Sequence, residues 1–177
     1  MNYNVILADP PWTWKSWSKK GDKKSATQHY KTMEQADIYN LAVADLASDN
    51  SVCFLWCINT LLPQSFRLLN AWGFQYKTVG YVWVKQNRKT DSLFMGLGYH
   101  TRQNAELCLI GTRGKPKRIS KGVHQIIMAP RREHSRKPDE IYSRIEQLYP
   151  GPYLELFSRT NRDGWDSIGD ETGRWEA

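Results

Sequence analysis

Val5-Ile6-Leu7-Ala8-Asp9-Pro10-Pro11-Trp12 decides how this chain is read. The first four residues are a short apolar run, the pattern of a strand buried on both faces. The next four place an acid, two prolines and an indole where that strand gives way to a loop. In open α/β sheets the carboxyl ends of the strands are where ligands bind. The prolines fix φ and remove two backbone donors, so the turn is stiff and its carbonyls point outward. A carboxylate beside such a carbonyl can accept hydrogen bonds from an amino group, while the indole stacks on the ring that carries it. Asp-Pro and Pro-Pro also mark ordinary turns, so the tetrapeptide takes its meaning from the rest of the chain.

Working outward, strands and helices alternate. Thr32 and Gln35 form a capping-box pattern that starts a helix with Ile38, Leu41, Ala42 and Leu46 on its apolar face. Val52 to Cys57 reads as a continuous apolar strand, Pro63 to Trp72 as a helix stopped by Gly73, and Tyr81 to Val84 as a strand ending in Lys85. Residues 86 to 103 have no period and form a long loop. Strands follow at Glu106 to Ile110 and around Gln125 to Met128. A helix begins near Pro138, with Ile141, Ile145 and Leu148 inward, and a last strand covers Tyr153 to Phe157. The tail beyond it, carrying Trp165, Asp170, Glu171 and Trp175, reads as irregular. The alternation implies an α/β fold, a mostly parallel sheet with helices on both faces, as a single domain over residues 1–177.

Composition agrees: 177 residues with 40% hydrophobic content are enough for one core. No run approaches the ~20 apolar residues of a membrane span, and the polar start Met1-Asn2-Tyr3-Asn4 is no signal peptide. Cys53, Cys57 and Cys108 sit in apolar strand-like runs, which suits reduced core thiols of a cytoplasmic protein. The four histidines show no metal-ligand or nucleophile-activating spacing. The net charge of +7 favours a polyanionic partner. Its placement says more than its size. Lys15, Lys19, Lys20, Lys23 and Lys24 follow the acidic turn, interleaved with Trp14 and Trp17. Arg113, Lys115, Lys117, Arg118 and Lys121 form a second group, and Arg131, Arg132, Arg136 and Lys137 a third. Cations mixed with stacking surface are the composition of a nucleic-acid groove.

The chain resembles the DPPW-type adenine N(6)-methyltransferases, the family that includes the catalytic subunit of the eukaryotic mRNA adenosine methylation complex and bacterial and phage relatives. The resemblance runs from Val5 to Glu171. Its carriers are Asp9 to Trp12, Trp83-Val84-Lys85, Glu106 to Gly111, Lys137 to Tyr142, and Glu155 to Arg159 with the later Gly164-Trp165. It implies a Rossmann-like methyltransferase sheet in permuted order, catalytic strand first and cofactor strand last. It also implies S-adenosylmethionine as donor. By the resemblance, Asp9, Pro10, Pro11 and Trp12 hold the target adenine, Asp9 also approaching the methionine part of the donor. Glu155, Leu156, Arg159, Asp170 and Glu171 would hold the rest of the donor, with Asn161 and Arg162 near its methionine end and Arg113 near its carboxylate.

The chemistry follows from adenine itself. Its amino nitrogen is a poor nucleophile because the lone pair is delocalised into the ring. Hydrogen bonds from its N–H groups to the Asp9 carboxylate and Pro10 carbonyl would localise and aim that pair. Trp12 would stack on the base, and a duplex target must first be flipped out. Lys85 and Arg88 join the lysines of 15–24 as expected phosphate or substrate contacts, and the loops 13–31 and 86–103 are expected to order on ligand. DNA is the expected polymer, as for small bacterial and phage members, with RNA the nearest alternative. A homodimer or a partner subunit is left open. A non-catalytic nucleic-acid-binding subunit is disfavoured by the intact Asp9-Pro10-Pro11-Trp12 turn, and a small-molecule methyltransferase by the basic loops.

Overall fold

The computed structural model describes residues 2–13, 32–96, 98–133 and 135–169. Seven strands build one sheet: β1 (Tyr3–Ala8), β2 (Ala47–Cys57), β3 (Gln75–Gln86), β4 (Ala105–Arg113), β5 (Ile126–Pro130), β6 (Tyr153–Leu156) and β7 (Trp165–Ile168). Their order across the sheet is β5-β3-β4-β2-β1-β6-β7. Helices α1 (Gln35–Tyr39), α2 (Val43–Leu46), α3 (Leu62–Ala71) and α4 (Glu140–Leu148) cover it.

Successive side chains on a strand point to opposite faces, so the unbroken apolar run of β1 needs cover on both. Ile6 and Ala8 pack with Cys53, Leu55 and Leu154 against Ile38, Val43, Leu69 and Trp72 from α1, α2, α3 and the turn after α3. Val5 and Leu7 face the other way, with Phe54, Tyr81 and Ile127, against Ile141, Tyr142 and Ile145 of α4. Trp72 anchors the first layer by donating its indole N–H to the Ile38 carbonyl at 3.0 Å. All three cysteines are buried and unbridged, and burial pushes the Cys57 thiol up to about 12.

Four of the six strand pairings are parallel, and both antiparallel ones belong to β4. Six strands therefore end at one edge of the sheet, and β4 alone begins there. This is the expected mostly parallel α/β sheet with helices on both faces.

Three local expectations are corrected. Thr32 does not cap a helix: α1 starts at Gln35, after Glu34. Met33 is instead drawn into a β-bridge with Trp12, its N–H bonding the Pro11 carbonyl at 2.9 Å, which holds the backbone extended. Phe157 lies outside β6 with φ at 63°, so the last predicted strand ends a residue early. The tail is not irregular, because Trp165–Ile168 adds β7 parallel to β6. Only Trp165 of that strand is buried, so its sequence carries no apolar run.

Leu69 is fully buried beneath the sheet. Leu69→Ala should lower stability by about 2–5 kcal/mol in urea unfolding. A loss under about 1 kcal/mol would mean that this layer is not the packed core.

Candidate active site

Asp9 follows β1 directly, at the edge where six strands end. Lys85 lies near the end of β3 and Glu106 near the start of β4, one register pair from the Val84–Ala105 match. Glu155 stands on β6 opposite Leu7. The segment 131–139 leaves β5 beside Gln86, where the Arg131 N–H bonds the Gln86 carbonyl at 3.2 Å, and crosses the strand ends toward β1. It delivers Lys137 above the Trp56 ring, 5.6 Å from its centroid.

An ammonium has three donors, and Lys137 Nζ finds three acceptors: Asp9 Oδ2 at 2.6 Å, the Ser135 carbonyl at 3.2 Å and Glu106 Oε2 at 3.4 Å. Ser135 takes a positive φ of 66° within this crossing. Glu106 is also bound by Lys85. The result is a row of alternating charge, Lys85, Glu106, Lys137 and Asp9. Burial pushes the Glu106 carboxyl up, but the ammonium groups of Lys137 and Lys85 outweigh it and hold Glu106 below its ordinary value. Glu155 behaves oppositely. Burial raises its pKa despite hydrogen bonds from the Tyr142 hydroxyl at 2.9 Å and the Ser158 hydroxyl at 3.0 Å.

Two recesses meet at Asp9. The larger, a groove of about 870 Å³, runs between the end of β6 and the α1–α2 segment. Among the described residues Asp9, Glu34, Asp37 and Asp45 line it against one cation, Arg159, with Leu41, Leu46 and Ile168 as apolar wall. The smaller, about 40 Å³, is bounded by Lys137, Arg136, Tyr142 and Glu155. Asp9, Phe157 and Arg159 line both. Lys137 covers Asp9 Oδ2, while Oδ1 has no hydrogen-bond partner among the described residues.

The expected site residues distribute unevenly. Asp9, Leu156 and Arg159 line the groove, and Glu155 the smaller cleft. The Pro10 carbonyl already accepts the Trp12 N–H at 2.9 Å, leaving one lone pair. Trp12 is corrected: its indole is 1% exposed and packs edge-on to Tyr39, so it does not lie open to a base. The bridge to Met33 turns it inward. Arg113 is corrected too. It pairs with Ser51 while Leu107 pairs with Cys57, so it lies six residues, ~20 Å, from the active edge. It donates to the Ala44 carbonyl at 2.7 Å instead. Arg88 reaches the Arg132 carbonyl, and Asn161 is exposed. Arg162 lies 3.9 Å over the Tyr142 ring, beside the smaller cleft rather than in the groove. Lys15, Lys19, Lys20, Lys23, Lys24, Trp14, Trp17, Asp170 and Glu171 lie outside the described residues, as does most of the loop 13–31. The loop 86–103 is braced at its root, where the Phe94 N–H bonds the Lys85 carbonyl at 2.8 Å.

Glu106, Lys137 and Tyr142 were read only as parts of elements or motifs. Glu106 had a signal, a carboxylate opening an apolar strand, whereas Lys137 and Tyr142 reach the site from the crossing segment and α4, which sequence spacing does not join to the sheet.

Residues 3–171 match the MT-A70 family. The chain belongs to the MT-A70 family. This MT-A70 chain is 32% identical to the type II methyltransferase M.MunI of a Mycoplasma species, over 96% of its own length and 77% of that protein. It is 30% identical to the human N(6)-adenosine-methyltransferase catalytic subunit METTL3 and to an Arabidopsis thaliana MT-A70-like N(6)-adenosine-methyltransferase. Those matches cover 96% of this chain but only 28% and 24% of the two plant and animal proteins, respectively human and Arabidopsis. Membership places the domain among methyltransferases of Rossmann-like α/β fold. Among the described residues no helix is long and apolar enough to cross a membrane.

Because its folded pKa is depressed, Glu106 contributes stability above the ordinary glutamate value of about 4.3, lost as pH falls through the lower folded value. Urea unfolding should show a gap between wild type and Glu106→Gln at pH 7 that closes toward pH ~3. A gap independent of pH would mean that this charge is not coupled to folding.

Proposed function

We propose that this MT-A70 domain transfers a methyl group from S-adenosylmethionine to the exocyclic N6 amine of adenine in DNA. The single observation that carries the reading is the position of Asp9 at the junction of an acid-lined groove and a lysine-covered cleft. The donor carries sulfonium and ammonium cations beside one carboxylate, and among the described residues the groove sets four carboxylates against one guanidinium. Its volume lies within the ~300–1,000 Å³ of ordinary ligand sites, and Leu41, Leu46 and Ile168 offer apolar wall for an adenine ring. When bound there, S-adenosylmethionine would supply an activated methyl group.

The chain's own residues then do four things. Asp9 accepts an N–H of the incoming amine and aims its lone pair. The Pro10 carbonyl offers its remaining lone pair to the second N–H. The neutral adenine amine is too weak an acid to give up a proton to a carboxylate in advance, so Asp9 serves as proton acceptor only once the nitrogen has become acidic. Lys137 keeps the Asp9 carboxylate oriented until substrate arrives. With Trp12 packed inward, stacking on the base falls to another ring.

DNA is preferred over RNA on the 32% identity to M.MunI, named a type II methyltransferase. Adenosine in RNA is the second reading, favoured by the 30% identity to those relatives. The test is transfer of labelled methyl from S-adenosylmethionine to matched DNA and RNA oligonucleotides, single- and double-stranded. Label should appear on adenine N6 of DNA, and Asp9→Asn should reduce transfer at least ~100-fold, the scale of a misplaced reacting group, in protein that circular dichroism shows to be folded at the assay temperature. Label on a base other than adenine, or full activity in the variant, would overturn the reading.

A further inference from the structure

We propose that Arg132, Arg136 and Arg162, gathered on Asp139 at the rim of the smaller cleft, bind a phosphodiester group of the nucleic-acid substrate next to the base that Asp9 receives; this rests on the function proposed above. Asp139 sits between three guanidinium groups. Its Oδ2 lies 2.6 Å from Arg132 Nη1 and 3.9 Å from Arg136 Nη2, and its Oδ1 lies 3.6 Å from Arg162 Nη2. The only other acid in ion-pair range of these arginines among the described residues is Glu133, 3.3 Å from Arg136. Arg131, on the same crossing, has its guanidinium 3.5 Å over the Phe94 ring and no ion pair among the described residues. Among the described residues three guanidinium groups thus face two carboxylates, Asp139 and Glu133.

Spare donors accompany the spare charge. The buried Nε atoms of Arg131 and Arg162 have no hydrogen-bond partner among the described residues. Buried donors are nearly always satisfied, so each such group calls for an acceptor. A phosphodiester presents two non-bridging oxygens that share one negative charge and match the guanidinium fork. The arginines are also already positioned. Arg132 donates to the Lys137 carbonyl at 2.6 Å and Arg162 stacks on Tyr142, so little side-chain freedom is lost on binding. Helix α4 starts beside them at Glu140 and adds the positive end of its dipole. Arg136, Asp139 and Asp9 line one cleft, so an anion held here is adjacent to the reacting amine.

The experiment measures binding of a fluorescent duplex with a single adenine per strand, as a function of salt. Arg136→Gln/Arg162→Gln should lower the slope of log affinity against log salt by roughly one to two. Arg67→Gln, on exposed surface of α3, should leave it unchanged. A neutral methylphosphonate linkage beside the adenine should weaken wild-type binding and leave the double variant's binding unaltered. Arg136→Lys/Arg162→Lys keeps the charge and should restore the slope, and it serves as the informative variant if the glutamines impair folding. Binding of S-adenosylmethionine by calorimetry should be the same in all proteins. An unchanged slope, or equal sensitivity of wild type and variant to the neutral linkage, would overturn the phosphate site. So would loss of donor binding alone, which would assign the cluster to the donor's carboxylate. Absence of methyl transfer by wild type, with the slope change intact, would instead overturn the adenine reading and leave the phosphate site standing.

Discussion

The contact of Lys137 with Asp9, 2.6 Å long, ties the segment that crosses the strand ends to the first strand of the sheet. Removing two ions from water is costly unless their geometry and remaining hydrogen bonds are good. Here the lysine side chain is 13% exposed and the aspartate 32%. The cost is offset because all three ammonium donors meet acceptors, one of them a carbonyl presented by the left-handed Ser135. The same segment closes the smaller cleft, brings Arg132 and Arg136 to Asp139 and places Glu106 between two lysines. If Lys137 were not held on Asp9, none of these relations would be defined.

The direction of one strand is the second constraint. Because β4 runs against its neighbours, its first residues reach the edge where the others end. That reversal brings Glu106 to Lys137 and takes Arg113 to the far side of the sheet. It also lets the strand ends hold an acid–base row whose charges neutralise each other in sequence, Lys85, Glu106, Lys137 and Asp9. The carboxylates then sort by environment. Glu106, with two ammonium partners, is held ionised, whereas Glu155, with neutral hydroxyl partners, is pushed toward its protonated form.

Much of this could be read from the residues. The apolar run before Asp9, the stop at Gly73 and the inner face of Ile141 and Ile145 each follow from local pattern, and each stands where expected. What escaped reading depended on pairing. An apolar strand such as Glu106 to Ile110 looks the same in either direction, so no local signal separated Glu106 at the site from Arg113 away from it. Trp12 follows two prolines in a loop, and only its bridge to Met33, twenty-one residues on, turns it inward. Strand β7 has one buried residue and is defined by its partner β6 alone. The arginines round Asp139 come from two distant segments, which sequence spacing does not join.

Asp9 at the junction of two recesses is the claim on which the functional account stands. A crystal structure with S-adenosylhomocysteine bound tests it most directly. The account predicts the adenosyl group in the acid-lined groove between Asp45 and Ile168, with the sulfur at the Asp9 end. An adenosyl group seated elsewhere, or a sulfur turned away from Asp9, would contradict it.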